Sequence, residues 1–230
     1  MRLHSARRCL PSERVVMKQQ LGTVARTSSG LDRLVSIARD LSFEPCCDSF
    51  AFVRHGQTAR NARAIFQGLD EPLDGTGEAQ ALECCAVLVQ RQIGAILCSD
   101  MLRARQTALA VARPHALVPL PHAGLRERNF GELIGTSSLH IDWACAPRGG
   151  ETLEAFVLRT RDAMLWALNR PGPVLIVAHG GTLLVLAALL RLELAPLLLA
   201  NASPLCLDRV GTNWRIQALV AGSAGSANLA

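Results

Sequence analysis

Two short stretches of this chain combine residue types that can handle phosphate. Arg54-His55-Gly56 closes an apolar run beginning at Ser49, and His179-Gly180-Gly181 closes another beginning at Val174. Both runs have the composition of strands, so each histidine is expected at a strand's carboxyl end, the edge where open α/β sheets bind ligands. Arginine offers a planar fork to phosphate oxygens, and a neutral imidazole beside it can attack phosphorus and become a phosphohistidine. His179, placed at the start of a helix-like segment, is suited to donate to a transferring phosphoryl group. Taken alone, a histidine at a strand end is more often a structural residue bonded to backbone. Two strands that each end in His-Gly point to one site.

Further candidates lie between them. Ser99-Asp100-Met101-Leu102-Arg103 places Arg103 at a strand-to-helix junction, where its side chain can reach over the sheet edge and helix-start amides favour the same anion. Arg105, out of step with it, reads as a surface arginine. A phosphate ester also needs a proton for its leaving alkoxide, and a carboxyl group held near phosphate has its pKa raised toward that task. Glu127 and Glu132, in the segment Gly124-Leu125-Arg126-Glu127-Arg128-Asn129-Phe130-Gly131-Glu132, are the local candidates.

The elements that must position these groups alternate between strand and helix patterns. After the first strand and a polar loop over residues 57–73, Asp74-Gly75-Thr76-Gly77 opens a helix whose inner face is expected at Ala79, Leu82, Ala86 and Val89. Short strands are expected at 93–98 and 116–119, with a helix over 103–113 between them. Residues 121–150 lack steady periodicity and read as a substrate-facing loop. A helix over 152–169 buries Leu153, Phe156, Val157, Thr160, Met164 and Leu168. The Val174 strand and another helix follow, then a hairpin over 204–210 and 213–219. The whole predicts a three-layer α/β/α sandwich with a mostly parallel central sheet and a C-terminal antiparallel hairpin.

The totals bound the rest. At 230 residues, half of them hydrophobic and 19% charged, the chain should hold one globular domain over 48–220. The net charge of +5 raises a nucleic-acid reading, but residues 1–47 carry eight basic and four acidic residues, leaving only +1 for the remainder. No nucleic-acid partner is therefore expected. Residues 1–47 read as a loosely ordered basic extension, with an upstream start before Met17 or an organelle transit peptide as alternatives, and 221–230 as a flexible tail. The eight cysteines form no C-x-x-C pair and read as reduced thiols of a cytoplasmic protein. The most apolar later run is broken by Arg191, Glu193 and Pro196, so no membrane span is expected.

Taken together, the motifs resemble the histidine phosphatase superfamily, the phosphoglycerate mutase-like proteins, over residues 49–220. Arg-His-Gly-Gln-Thr with Asn61, Gln67-Gly68 followed by Pro72-Leu73, Ser-Asp-x-x-Arg-Ala-x-Gln-Thr-Ala, the Glu127 segment, Gly149-Gly150-Glu151-Thr152 and Ala178-His179-Gly180-Gly181 stand in family order. The resemblance implies that His55 is the nucleophile through Nε2, and that Arg54, Arg103 and His179 bind the phosphoryl group. Asn61 would add a phosphate contact, Glu127 would act as proton donor and then base, and Gln67 and Gly68 would line the substrate side. It implies no metal and no cofactor, a small phosphomonoester as partner, and a monomer or homodimer.

Two departures stand out. Arg60 occupies a position often aromatic in the family, and Gln57 one often held by glutamate. Phosphatases and mutases share the catalytic set, but a mutase must retain its substrate. The 23 residues between Glu127 and Glu151 are shorter than the corresponding mutase insertion, with Arg128 and Arg148 as their only arginines alongside His140. The expectation is hydrolysis, in the broad-specificity or α-ribazole phosphatase branch, with a sugar phosphate equally compatible. A mutase is the runner-up, and a non-catalytic phospho-ligand binding protein the third reading.

Overall fold

Alternation of apolar residues inside each strand sets the layers. In β1 (Ser49–Arg54), Phe50 and Phe52 face one helical layer while Val53 faces the other, and in β4 (Val174–Ala178) Ile176 and Leu175 divide in the same way. Both strands are therefore covered on two faces, which is why their sequences read as continuous apolar runs. The computed structural model describes residues 28–139 and 141–220. Its six strands run in the order β3-β2-β4-β1-β5-β6. β2 (Ala95–Cys98), β3 (Leu120–Pro121), β4 and β1 are mutually parallel, whereas β5 (Pro204–Val210) runs antiparallel to β1 and forms a hairpin with β6 (Asn213–Ala218). The mostly parallel sandwich with its terminal hairpin is the architecture the sequence predicts.

Helices α2 (Gly75–Leu88) and α3 (Leu102–Ala112) cover one face; α1 (Ser28–Arg39), α4 (Leu153–Leu168) and α5 (Gly180–Leu189) lie on the other. Local chemistry starts two of them. The Asp74 carboxylate accepts from Gly77 N at 2.8 Å, and the Thr152 hydroxyl accepts from Ala155 N at 3.1 Å, each cap contributing about 1 kcal/mol. All six inner-face residues expected of α4 are buried.

Three expectations are corrected. The buried stripe of α2 is Gly77, Ala81, Cys84 and Leu88, while Leu82 is 64% exposed. Apolar residues surround this helix, so periodicity alone selected the wrong face, and the small residues that allow close packing mark the right one. The third strand starts at Leu120 rather than Ala116, because Ala116 adopts φ +52° to close a turn after Pro114 and pairing begins only at Leu97 with Leu120.

The third correction is α1, which occupies part of the segment expected to be loosely ordered. Leu34 and Ala38 are buried against Phe156, Val157, Val185 and Ala188 of α4 and α5, and Arg33 pairs with Glu154. The helical spacing of Leu31, Leu34, Val35 and Ala38 was masked by the surrounding arginines and serines. Residues 1–27 and the 221–230 tail lie outside the described residues.

Gly30 of α1 sits where a Cβ would fall 2.7 Å from Ala144 N and 2.9 Å from Trp143 N. These are backbone atoms that cannot swing aside. Gly30→Val should lower stability by about 1–3 kcal/mol, read as a lower urea midpoint at unchanged denaturant slope. An unchanged midpoint would show that α1 does not bear on the 143–144 backbone.

Candidate active site

The ladder between β1 and β4 continues one step past the strands, with His55 N donating to Ala178 O at 3.0 Å. That register brings His55 and His179 together, their ring centroids 5.1 Å apart and both rings buried. His55 Nδ1 lies 2.7 Å from the Gly56 carbonyl oxygen. Since only an N–H can pair with a carbonyl, the proton resides on Nδ1 and Nε2 carries the lone pair. Arg103 Nε donates to that Nε2 at 3.2 Å. Burial, followed by the nearby Arg103 and Arg54 guanidiniums, pushes the His55 pKa well below its ordinary value, so the ring is neutral at neutral pH. His179 is held neutral in the same way, chiefly by burial.

The two arginines are fixed by carbonyls. Arg54 Nη1 donates to Leu199 O at 2.6 Å, and Arg103 Nη1 to Gly68 O at 2.8 Å. Burial lowers both guanidinium pKa values, that of Arg103 to about 10, which still leaves it charged. Arg54 Nε and both ring nitrogens of His179 are buried without a hydrogen-bond partner in the protein. Buried polar atoms of this kind call for a partner of their own, and Arg54 Nε with the one ring N–H of neutral His179, beside two cations, suits the oxygens of a phosphoryl group.

Glu127 stands opposite. Its Oε2 accepts from Gly181 N at 2.8 Å and its Oε1 from Arg128 N at 2.9 Å. A Cβ at position 181 would overlap Glu127 Oε1, so glycine is required there to admit the carboxylate. Glu132, the other candidate acid, is exposed and does not line the cleft.

Asn61 and Gln67 line the cleft of about 310 Å³ that His55, Arg54, Arg103 and Glu127 share. Gly68 does not line it; its carbonyl positions Arg103 instead. Asn61 is tied at Oδ1 to Thr58 N (2.6 Å) and at Nδ2 to Asn201 (3.0 Å), while Gln67 Oε1 accepts from Thr58 (2.7 Å). Arg60 pairs with Glu71, and Gln57 bonds Asp74 at the start of α2, so neither departure enters the cleft. Arg105 is exposed, as expected.

Several supporting residues escaped the sequence. Asn201 donates to the His55 carbonyl at 2.8 Å, and the Thr107 hydroxyl bridges Gly56 N (3.0 Å) and Arg103 O (2.8 Å). Arg159 of α4 grips the Glu151 carboxylate through two bonds (2.7 and 2.8 Å) and donates to Gly124 O and Arg126 O, bracing the backbone before Glu127. Buried Arg128 donates to the carbonyls of Trp143, Cys145 and Glu151. The motif Gly-Gly-Glu-Thr was the sole signal for this brace, and it identifies Glu151 but not its arginine partner. Among the described residues, no group of three or more His, Cys, Asp or Glu side chains forms a candidate metal site, and no helix is long and apolar enough to cross a membrane.

Fold and site together define an α/β protein with a cleft lined by His55, Arg54, Arg103 and Glu127 at the carboxyl edge of its sheet. Residues 50–221 match the histidine phosphatase superfamily (branch 1), and the chain belongs to that superfamily. Glucosyl-3-phosphoglycerate phosphatase of Mycobacterium tuberculosis is 34% identical over 168 residues, 62% of this chain and 75% of that protein. Agropine synthesis reductase of Rhizobium rhizogenes is 34% identical over 179 residues; the match takes in 73% of this chain but 41% of that protein, less than half its length. The solved structure of mycobacterial glucosyl-3-phosphoglycerate phosphatase with VO3 is 30% identical, covering 74% of this chain and 98% of that one with a TM-score of 0.62.

The depressed histidine pKa values also fix how stability varies with pH. Both rings bind protons less readily folded than unfolded, so their contribution is complete above about pH 6.5 and lost as pH falls toward the folded values. Each can steepen the loss by at most about 1.4 kcal/mol per pH unit. Urea midpoints taken from pH 7.5 to 5.5 should fall, and His179→Gln should flatten the slope. A slope unchanged in that variant would mean His179 is not held neutral by its surroundings.

Proposed function

We propose that this protein is a metal-independent phosphatase that hydrolyses small phosphomonoesters through a phosphohistidine on His55. The observation that carries the reading is the fixed tautomer of His55, which presents an unprotonated Nε2 between two guanidiniums and across from a carboxyl group. The Nε2 lone pair attacks phosphorus, and the ester P–O bond breaks as Glu127 gives its proton to the departing oxygen. In the second half, Glu127 takes a proton from water, the water oxygen bonds to phosphorus, and the P–N bond breaks to release phosphate and restore the lone pair. Arg54, Arg103 and His179 hold the phosphoryl oxygens throughout. Positive groups fixed in a desolvated cleft need no rearrangement to meet developing charge, which is the most effective form of such stabilisation.

Hydrolysis rather than mutase transfer is favoured by Arg128. A retained substrate carboxylate would need a cation beyond the phosphoryl site, and Arg128 is committed to three backbone carbonyls of its own loop. The relatives named as phosphatases agree with this side of the choice.

Phosphate release from aryl and alkyl esters, with chelator present, tests the scheme. His55→Ala should abolish both turnover and acid-labile phosphoenzyme, while Glu127→Gln should slow alkyl esters by about 10²-fold or more and activated aryl esters far less. Equal losses on both ester types would remove Glu127 from the acid role, and activity lost to chelator would end the metal-free scheme. Gly181→Ala, which displaces the Glu127 carboxylate without removing it, should show the same alkyl-selective defect with inhibition by inorganic phosphate retained. A defect equal on both esters would separate Gly181 from Glu127.

A further inference from the structure

Beyond the phosphoryl site, the walls of the cleft are apolar. Phe66 and Phe130 lie with ring centroids 4.3 Å apart, and Trp143 meets Phe130 edge-on at 5.9 Å. Ile65, Ile141, Leu184 and Leu199 add to these walls, each partly exposed. In α5, Leu184 is part-exposed where its helical neighbours Leu183, Val185, Leu186 and Ala187 are buried, and it lines the cleft.

The polar side chains of the same walls have prior commitments. Asn61 is bonded to Thr58 and Asn201, and Gln67 through Oε1 to Thr58, which leaves the Ser138 hydroxyl, the Gln67 amide nitrogen and the Trp143 indole N–H as the remaining polar groups of the wall among the described residues. The charged wall residues, again among those described, are Arg54, Arg103 and Glu127, all used at the phosphoryl end. A second phosphate or a carboxylate on the substrate would lose water and gain no further cation among the described residues, a heavy penalty in an apolar setting. Sugar hydroxyls would give up water for few partners. An aromatic ring or alkyl chain loses nothing polar and gains contact with three rings and four branched aliphatic side chains.

Building on the phosphatase reading, we propose that the leaving group this cleft selects is apolar and carries no second anionic group: the substrate is an aryl, arylalkyl or alkyl phosphomonoester. Trp143 is the specificity-determining residue. Its backbone carbonyl is held by Arg128, and its main chain abuts Gly30 of α1, so the wall is part of the folded framework rather than a free loop.

The test compares kcat/KM for four phosphates of primary alcohols: 2-phenylethyl and n-hexyl phosphate against glycerol 3-phosphate and 3-phosphoglycerate. Both apolar esters should exceed both polar ones by roughly 10²-fold, the discrimination expected when an apolar pocket gains or forgoes several carbon contacts. Trp143→Ala should cut that ratio by about tenfold while leaving inhibition by inorganic phosphate unchanged. Ile141→Ser, on a part-exposed side chain, provides the same readout where the tryptophan variant fails to fold. Turnover that favours the polar or the carboxylate-bearing ester, or a ratio insensitive to both variants, overturns this inference and leaves the phosphatase reading standing. No turnover of any ester, p-nitrophenyl phosphate included, sinks the phosphatase reading and this one with it.

Discussion

Holding two guanidiniums against a neutral imidazole, out of water, is the constraint on which the site depends. Arg54 and Arg103 repel one another and both oppose protonation of His55, and Glu127 is the leading carboxylate in the field of each. Such an arrangement is unfavourable by itself, since a buried charge without a close counterion costs several kcal/mol. Carbonyls of Leu199 and Gly68 take part of that burden, and the sheet beneath takes the rest. Phe52, Leu175, Ile176 and Val177, fully buried just below the site, each contribute about 1.5–3 kcal/mol. A stable core thereby supports a local arrangement that only an anion would relieve.

Placing the carboxyl group opposite this cationic cluster requires a second framework. Glu127 lies on an irregular stretch with no helix or strand to fix it, and two arginines supply the missing rigidity. Arg159 reaches from α4 to the carbonyls before Glu127, and Arg128 ties the far side to residues 143–151. Asp100 joins the two halves, taking two bonds from Arg126 at 2.7 and 2.6 Å, and Arg126 holds its carboxyl below the usual range. The β2-to-α3 turn just ahead of Arg103 and the loop that carries Glu127 are thus locked together by side chains that do not line the cleft. Fixed geometry at this scale is what lets electrostatic stabilisation act without reorganisation.

The parts of this scheme visible in the sequence are those in which chemistry and strand pattern coincide. His55 and His179 end apolar runs whose pairing the fold requires, so type and position could be read together. The hairpin over residues 204–218 was legible because alternation and a Gly-Thr turn agree. Glu127 was legible only as one of two nearby carboxylates until the family resemblance separated it from Glu132. Gly68 was misplaced because a glycine's contribution is a carbonyl, and backbone direction leaves no trace in residue type. Asn201, Thr107, Arg128 and Arg159 act across long sequence separations, where no local period connects partners. The inner face of α2 and the existence of α1 failed for a related reason: small residues at a contact, and apolar residues set among arginines, declare themselves only once the neighbouring helix is in place.

The proposed chemistry and the proposed selection of substrate rest on different parts of the chain. The side chains assigned to the phosphoryl group in the proposed mechanism sit at strand ends and at the starts of α3 and α5, and the approach of His55 to His179 follows from the pairing of β1 with β4. The apolar walls come instead from Ala64, Ile65, Phe66, Phe130, Ile141 and Trp143 on loop segments, together with Leu184 of α5 and Leu199. One support of these walls is α1, which lies ahead of the region matched to the superfamily and yet bears on Trp143 through Gly30. Folds that keep one reaction across many substrates need that separation between a rigid scaffold and adjustable loops. α1 thus supports the backbone at Trp143 on the cleft wall, although nothing in its own residues resembles a binding motif.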